Sequence, residues 1–270
     1  MFDAGPNRGP PSTLRGWLSD VYFPSLLDVS MRAVAIESLA TRLGAKATID
    51  DPLHGRATGG DAIRGLLTRT ADWLLKHAGS YERLAFTTGT DRDVTEGTIA
   101  LTFESKTLDL PIAVVAERRR SREVELRIYY ATQSVANERK TRTPLVAATD
   151  VTLPPSVITF LDALAKGDVK AVVAAFEHDG AVRDARGLQH GKKDGALQTF
   201  VDGLLAGGAF GSGLDLERGG EADDGRTCAL EYTLVKARGR EVVPQPGLML
   251  FERGESGLLS AVRIYGDLDV

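Results

Sequence analysis

The sequence predicts an α+β fold that is present twice in one chain. In each half, segments with helical periodicity come first and a run of strand-like segments follows. The first half ends on Arg127-Ile128-Tyr129-Tyr130, and 136 positions later the second half ends on Arg263-Ile264-Tyr265-Gly266. A repeat of that length is too long for a solenoid unit, so it indicates a duplicated domain.

Length, charge and cysteine content fit two soluble domains. A chain of 270 residues is long enough for about two domains. The formal net charge of −4 gives no basic field for nucleic acid. The single cysteine, Cys228, excludes an internal disulfide and is predicted to be buried in a strand. No apolar run approaches the roughly 20 residues that span a bilayer, so we expect a cytoplasmic protein with neither membrane nor nucleic-acid partners.

The second half gives the clearer pattern of elements. Ser156 is predicted to cap a helix that ends at Gly167, and Asp168 to cap a second short helix. A third helix follows an extended segment at 181–184, and apolar side chains predict its inner face: Leu197, Phe200, Val201, Leu204 and Leu205. Alternation then predicts four strands, at 214–218, 227–235, 247–252 and 258–265.

The first half repeats this layout. Helices are predicted at 26–43 and 61–77, with Pro24 at or before the first turn, and strands at 81–88, 95–104, 110–117 and 122–132. Residues 1–20 are predicted to be a flexible leader, because their beginning is rich in Gly, Pro and Asn. Residues 137–155 are predicted to be a linker, which leaves domains at 21–136 and 156–270.

Several segments resemble the nuclear transport factor 2-like superfamily, which includes ketosteroid isomerase, SnoaL-like polyketide cyclases and limonene epoxide hydrolase. The residues that carry the resemblance are 47–52, 59–63 and 124–130 in the first half, and 161–176, Asp184 and 257–265 in the second. The resemblance implies two cystatin-like, cone-shaped α+β-barrel domains, each with N-terminal helices packed on a curved antiparallel sheet. It also implies that the two domains pair within the chain as a pseudo-dimer, and it is compatible with a homo-oligomer. This fold carries unrelated functions, so function has to be argued from the site.

Two aspartates match the place of the base in ketosteroid isomerase, where a carboxylate moves a proton next to a carbonyl. Asp51 lies in the segment that resembles the base-bearing one, and Asp184 falls at the matching place of the second half. His54 and His190 are predicted to lie in the same loop of their halves and to act with these carboxylates. The alternatives are structural: Asp51 as a turn residue before Pro52, Asp184 as the partner of Arg183, and both histidines as exposed loop residues.

The acids of that reaction are missing from the predicted sites. The place of the tyrosine that holds the enolate oxygen is Phe160, and the place of the partner aspartic acid is Met249, with about Ala113 in the first half. Losing one such donor typically costs about 2.7 to 4 kcal/mol. The alignment therefore argues against steroid isomerase activity in either half, unless another donor replaces those lost.

Limonene epoxide hydrolases use an Asp-Arg-Asp set that cannot be completed in this sequence. Arg127 and Arg263 are the candidate arginines, and the alternative is that both lie on the outer face of a sheet. The four histidines have no metal-ligand spacing, so neither a metal nor another cofactor is predicted.

The fold predicts a pocket between sheet and helices that holds a small apolar, polyketide-like or steroid-like molecule. The predicted lining residues, each with plain core as the alternative, are Trp73, Phe103, Tyr129, Phe160, Phe200, Tyr232, Met249 and Tyr265. Two function classes stay open. One is an isomerase, cyclase or hydrolase that uses an aspartate base, and the other is a ligand-binding or assembly module without catalytic activity.

Overall fold

A computed structural model describes residues 14–104, 106–118, 123–136, 140–205 and 213–267, with side chains from Leu18 onward. The chain divides into two compact units, Met1–Ala136 and Asn137–Val270, which are called unit 1 and unit 2 below.

Unit 1 contains four helices and six strands. The helices are α1 (Leu14–Leu27), α2 (Arg32–Leu43), α3 (Gly60–Lys76) and α4 (Gln133–Ala136). The strands are β1 (Thr48–Asp51), β2 (Gly55–Thr58), β3 (Ser80–Thr88), β4 (Arg92–Phe103), β5 (Lys106–Arg118) and β6 (Val124–Tyr129). They form one sheet in the order β2-β1-β6-β5-β4-β3.

Unit 2 repeats this arrangement. Its helices are α5 (Pro155–Lys166), α6 (Val169–Ala174) and α7 (Ala196–Leu205). Its strands are β7 (Phe176–Arg183), β8 (Gln189–Gly191), β9 (Leu214–Asp223), β10 (Thr227–Ala237), β11 (Arg240–Arg253) and β12 (Leu259–Tyr265). The sheet order, β8-β7-β12-β11-β10-β9, is the same as in unit 1.

The α+β prediction is confirmed in both units, and two details of the sheets differ from it. Each sheet is mixed, because β1 runs parallel to β6 and β7 runs parallel to β12. Each sheet is also open among the described strands, with β2 and β3 at the edges of one and β8 and β9 at the edges of the other. The antiparallel meander of the prediction covers only the last four strands of each unit.

Strand alternation places the apolar core of each unit on one sheet face. In β6, Leu126 and Ile128 belong to a cluster that also contains the buried residues of α1, α2 and α3. In β12, Val262 and Ile264 belong to the corresponding cluster with α5, α6 and α7. Cys228 lies in this second cluster and is a free, buried cysteine, as predicted.

Two of three local signals in unit 2 act as predicted. The prediction that Ser156 caps α5 is wrong, because the residue before the helix is Pro154, Ser156 lies within the first turn, and no side chain caps this end. Gly167 ends α5 in the left-handed conformation, with φ +68°, which costs a residue without a β-carbon little. The Asp168 side chain accepts a hydrogen bond from the backbone N–H of Ala171 (3.0 Å) and so caps α6.

The predicted leader and the start of the first domain are wrong from Leu14 onward. Helix α1 occupies 14–27, and Leu18 and Ser19 are buried there, with the Ser19 hydroxyl 2.9 Å from the Thr95 hydroxyl. Pro24 lies inside α1, not at its first turn. Proline is rare within helices, which is why the sequence favoured a helix start at that point. Residues 1–13 of the predicted leader lie outside the described residues.

The segment predicted as a linker packs on unit 2 over much of its length. Leu145 and Leu153 are buried, and the Thr149 N–H donates to the Arg218 carbonyl (2.9 Å).

Within the described ranges, no helix has the length and apolar character needed to cross a membrane.

Candidate active site

Asp51 lies at the end of β1, on the core face of the unit 1 sheet. Asp50 pairs with Arg127 on the parallel strand β6, so alternation turns Ile49 and Asp51 inward. Only 1% of Asp51 is exposed to solvent. A carboxylate this deeply buried needs hydrogen-bond partners.

One oxygen of Asp51 has three such partners. Oδ1 accepts hydrogen bonds from the backbone N–H groups of Leu53 and His54, both at 2.9 Å, and from the Tyr130 hydroxyl at 3.0 Å. The other oxygen, Oδ2, is buried and makes no hydrogen bond to a described residue. The carboxylate is therefore anchored through Oδ1 alone among the described residues.

Tyr130 immediately follows β6 and reaches Asp51 from the neighbouring strand. Its hydroxyl donates to Asp51 and accepts from the Leu53 N–H (3.2 Å). Burial raises the pKa of Tyr130 well above its ordinary value, and the charge and hydrogen bond of Asp51 add to this effect. The phenol therefore stays protonated and acts as a donor.

Tyr22 on α1 brings a second phenol close to Asp51. Burial raises the pKa of Tyr22 well above its ordinary value, and the negative charge of Asp51 raises it further. The nearby Thr70 hydroxyl donates to the Leu66 carbonyl (3.1 Å), and the Tyr22 hydroxyl itself lacks a partner with hydrogen-bond geometry among the described residues. A side-chain interaction with Thr70 lowers the pKa of Tyr22, but burial and the charge of Asp51 outweigh it. Tyr22 is thus a protonated, buried phenol whose hydroxyl has Thr70 nearby and no well-oriented partner among the described residues.

Four half-buried rings continue from the Asp51 turn along α3. The His54 ring lies 6.3 Å from Trp73, Trp73 lies 5.2 Å from His77, and His77 lies 4.3 Å from Phe103. His77 is fixed by its Nδ1, 3.2 Å from the Thr102 carbonyl oxygen. The predicted ligand residues Trp73 and Phe103 therefore belong to one aromatic row, and His77 is a member that the sequence analysis did not select.

Asp184 is the structural counterpart of Asp51 but has different partners. Arg183 pairs with Arg263 as Asp50 pairs with Arg127, so the two aspartates occupy the same place in their sheets. Asp184 Oδ1 accepts from the N–H groups of Arg186 (3.0 Å) and Leu188 (2.9 Å). Its Oδ2 lies 3.1 Å from Nε2 of His190. Both carboxylate oxygens are engaged in unit 2.

The phenols of unit 1 have no counterparts at the equivalent positions of unit 2. The buried residues Tyr22, Phe23 and Leu26 of α1 have the spacing of Phe160, Leu161 and Leu164 of α5, which makes Phe160 the counterpart of Tyr22. Gly266 follows β12 where Tyr130 follows β6.

The remaining predicted lining residues of unit 2 lie on its core face. Phe160, Tyr232 and Met249 belong to the apolar cluster, and Phe200 packs against it. Strand register makes Val114 the counterpart of Met249, one residue from the predicted Ala113, and both are apolar. Neither unit has an aspartic acid at this place.

The prediction that His54 and His190 share one loop position is wrong. His54 lies in the turn between β1 and β2, whereas His190 lies in β8 opposite Val182. Its counterpart by register is Ala57, which pairs with Ile49. The two histidines reach their aspartates differently, because His54 donates from its backbone N–H and His190 bonds through its ring.

Tyr129 and Tyr265 are wrong as pocket residues. Both are buried, but each alternates with core residues of its strand and so lies on the opposite sheet face. Arg127 and Arg263 lie on that face too, where they bind Glu117 (2.7 Å) and Glu252 (3.0 Å). The epoxide hydrolase set is therefore not assembled around Asp51 or Asp184 by these arginines.

Neither metal chemistry nor thiol chemistry gains support from the described side chains. Across the described ranges, no group of three or more His, Cys, Asp or Glu residues could hold a metal ion. Burial raises the pKa of the Cys228 thiol to about 12, so it stays protonated and unreactive.

Three solved structures are similar to parts of this chain. An NTF2-like protein of unknown function from Cytophaga hutchinsonii is 14% identical (TM-score 0.33), and the match covers 45% of this chain and 95% of that chain. An uncharacterised cystatin-fold protein from Novosphingobium aromaticivorans is 14% identical (TM-score 0.34; 43% and 98% covered). A ketosteroid isomerase-like protein from Catenulispora acidiphila, solved in complex with trimethylamine, is 16% identical (TM-score 0.35; 43% and 88% covered).

Each of these matches covers less than half of this chain. The fold names of these proteins are the ones that the sequence resemblance implied, and the likeness concerns the fold alone. No protein-family model and no curated protein matches the chain.

Tyr22 and Tyr130 are the functional candidates that the sequence analysis missed. Tyr22 and its neighbours have the same helical spacing as Phe160 and its neighbours, and this spacing was a signal for Tyr22. It was overlooked because Pro24 and the predicted leader argued against a helix at this point. No sequence signal pointed to Tyr130, because the repeat aligns it with a glycine.

Proposed function

We propose that unit 1 binds a small, largely apolar carbonyl compound and moves a proton at the carbon next to its carbonyl group. Asp51 is the base and Tyr22 is the donor to the carbonyl oxygen. The reaction class is that of an isomerase or a cyclase. The observation that carries the proposal is a pair of buried polar atoms that have no partner with hydrogen-bond geometry among the described residues, Asp51 Oδ2 and the Tyr22 hydroxyl.

Such atoms are costly unless a ligand uses them. A buried polar group without a hydrogen bond costs about 1 to 3 kcal/mol, and most buried polar groups in proteins are paired. The acceptor and the donor face the same apolar core, and they are near enough for the charge of Asp51 to raise the pKa of Tyr22. A carbonyl compound with an acidic C–H offers the complementary set.

The proton transfer balances with these two groups alone. Oδ2 takes the proton from the carbon, the C–H electron pair moves toward the carbonyl, and the resulting enolate oxygen accepts a hydrogen bond from Tyr22. Return of the proton from Oδ2 to the same or a conjugated carbon completes the cycle. Tyr22 thereby supplies a donor of the kind that the sequence alignment found missing.

The surroundings support precise placement of the base. Three donors hold Oδ1, and this restricts the position of Oδ2. The half-buried rings of Trp73, His77 and Phe103 provide an apolar surface that begins at the Asp51 turn.

Binding of 2-tetralone tests the site, because this flat ketone carries an acidic C–H between its carbonyl and its aromatic ring. Both tryptophans, Trp17 and Trp73, belong to unit 1, so quenching of tryptophan fluorescence reports binding there. Tyr22→Phe should weaken binding about tenfold, the effect of one lost hydrogen bond of about 1.4 kcal/mol. Asp184→Asn is the matched control and should bind like the unchanged protein. Equal affinity in Tyr22→Phe and the unchanged protein would refute the assignment of Tyr22.

A further inference from the structure

We infer that unit 2 holds a second site of different chemistry, in which His190 accepts a proton from a flat, weakly acidic hydroxyl compound and Asp184 positions the imidazole. The site is separate from the one proposed for unit 1. It rests on how the duplicated aspartate is bonded in each unit.

The two aspartates differ in their hydrogen-bond partners. Among the described residues, Asp51 Oδ2 is buried and has no partner, whereas both oxygens of Asp184 accept hydrogen bonds, from the N–H groups of Arg186 and Leu188 and from His190. Asp184 Oδ2 has a further lone pair, but its hydrogen bond to His190 lowers its basicity. An imidazole is ordinarily a stronger base than a carboxylate, so the acceptor in unit 2 is the imidazole that Asp184 holds.

The hydrogen bond defines which nitrogen of His190 is available. An ionised carboxylate only accepts, so the proton of a neutral imidazole lies on Nε2, which donates to Asp184 Oδ2. Nδ1 then carries the lone pair, and it makes no hydrogen bond to another described residue. The ring also stacks on Phe200, with centroids 4.3 Å apart and planes 20° from parallel. The His190 ring is thus held by the hydrogen bond of Nε2 to Asp184 and by stacking on Phe200.

The residues at the places of Tyr22 and Tyr130 favour a ligand whose acidic proton is on a hydroxyl group and not on carbon. An enolate needs an external donor, and in unit 2 the counterparts of Tyr22 and Tyr130 are Phe160 and Gly266. A phenol needs no such donor, because its O–H proton moves to Nδ1 and leaves a phenolate beside an imidazolium. Asp184 stabilises that imidazolium through Nε2–H.

Accessibility and ring content fit a flat aromatic ligand. The side chains of Asp184 and His190 are 17% and 20% exposed, so the pair lies at the surface of the unit and not deep in its core. Phe200, on which His190 stacks, packs against the apolar cluster in which the ring of Phe160 meets Phe176 (5.8 Å) and Phe251 (5.5 Å) edge-on. An aromatic hydroxyl compound would place its oxygen at His190 Nδ1 and its ring beside the stacked rings of His190 and Phe200.

The probe is 4-nitrophenol, whose phenolate has its own visible absorption band, added to the full-length chain. We expect binding with a larger ionised fraction than that of the free dye at the same pH. His190→Gln and His190→Phe, which keeps an aromatic ring beside Phe200, should both lose the added ionised fraction and bind about tenfold more weakly. Asp184→Asn should still bind the dye but with a smaller ionised fraction, which a merely structural role of Asp184 would not produce.

Matched controls separate this site from unit 1. Gln189→Ala changes the exposed neighbour of His190 in β8 and should leave binding and ionisation unchanged. Asp51→Asn should also leave the His190-dependent signal unchanged. Absence of binding, or an ionised fraction that is the same in both His190 variants and the unchanged protein, would overturn the inference. The 2-tetralone experiment tests Tyr22 in unit 1, so a negative result there would leave the outcome of the 4-nitrophenol experiment on unit 2 unaffected.

Discussion

The hydroxyl of Tyr130 donates to Oδ1 of Asp51 across 3.0 Å and joins the residue after β6 to the last residue of β1. In unit 2 the corresponding carboxylate is bonded to an imidazole instead, and Gly266 stands at the place of Tyr130. The duplication has therefore kept the carboxylate and changed its partner. This difference separates the chemistry proposed for the two units.

Tyr130→Phe should destabilise unit 1. The substitution removes a donor from a buried carboxylate, and such losses cost about 1 to 3 kcal/mol. Urea unfolding followed by tryptophan fluorescence reports unit 1, because both tryptophans lie in it. An unchanged unfolding midpoint would show that this hydrogen bond contributes little to stability.

Tyr22→Phe should not destabilise unit 1, although it also removes a buried phenol hydroxyl. That hydroxyl has no hydrogen-bond partner among the described residues, so its loss should leave the free energy of unfolding unchanged or raise it by up to about 1 kcal/mol. The same variant should bind 2-tetralone more weakly. Destabilisation equal to that of Tyr130→Phe would mean that the Tyr22 hydroxyl is already satisfied in the free protein.

Gly247→Ala should destabilise unit 2 through its cross-strand partner. A β-carbon at this position would overlap the ring and hydroxyl of Tyr232, which pairs with Gly247 across β10 and β11. Such overpacking typically costs about 1 to 3 kcal/mol. Gly203→Ala in α7 is the matched control: a β-carbon there meets no atom within 4 Å, and alanine favours the helix by about 0.5 to 1 kcal/mol. The measurement is the midpoint of thermal unfolding, followed by circular dichroism. A shift of the midpoint in the same direction in both variants would contradict this packing.

Acid should weaken unit 2 through Glu252. Burial acts to raise the pKa of Glu252, but the hydrogen bonds and charges of Arg226 (2.7 Å) and Arg263 (3.0 Å) outweigh it, and the pKa lies below its ordinary value. A carboxyl group whose pKa is lower in the folded state adds stability above its unfolded pKa, and this is lost as the pH falls through the folded pKa. The loss should therefore begin near the ordinary value for glutamate, about 4.3, and continue below it.

The measurement for Glu252 is the urea midpoint of unit 2 from about pH 7 to about pH 3. Glu252→Gln should be less stable at neutral pH and should show a flatter dependence on acid. Glu217→Gln, at an exposed position of β9, should keep the dependence of the unchanged protein. Identical pH profiles for Glu252→Gln and the unchanged protein would contradict the role of Glu252.

Periodicity and caps were sufficient to predict most elements of the fold. The end of α5 at Gly167 and the start of the strand at Thr227 were predicted to within one or two residues, because a glycine after a helix and alternating apolar positions are local signals. Helix α1 was missed because Pro24 lies inside it. The parallel pairing of β1 with β6 joins segments that are far apart in sequence and has no local signal.

The candidate site was predictable only where it resembled a known pattern. Asp51 and Asp184 were found in this way, whereas the partner of each depends on tertiary contacts across strands. Tyr129 and Tyr130 are adjacent and both aromatic, so the sequence alone did not separate them. The register of β6 shows that Tyr130 is the one that faces the core. The pairing of the two units, the cytoplasmic location and the absence of nucleic-acid partners stay predictions.

The rate at which 2-tetralone exchanges its acidic C–H for deuterium tests the proposed proton transfer most directly. In deuterated buffer, NMR should show exchange well above the rate without protein. Asp51→Asn should abolish this acceleration, Tyr22→Phe should reduce it by about 10² to 10³, the cost of one lost donor to the oxyanion, and Asp184→Asn should retain it. Binding of 2-tetralone with no accelerated exchange would favour the ligand-binding alternative, and an exchange rate in Asp51→Asn equal to that of the unchanged protein would contradict Asp51 as the base.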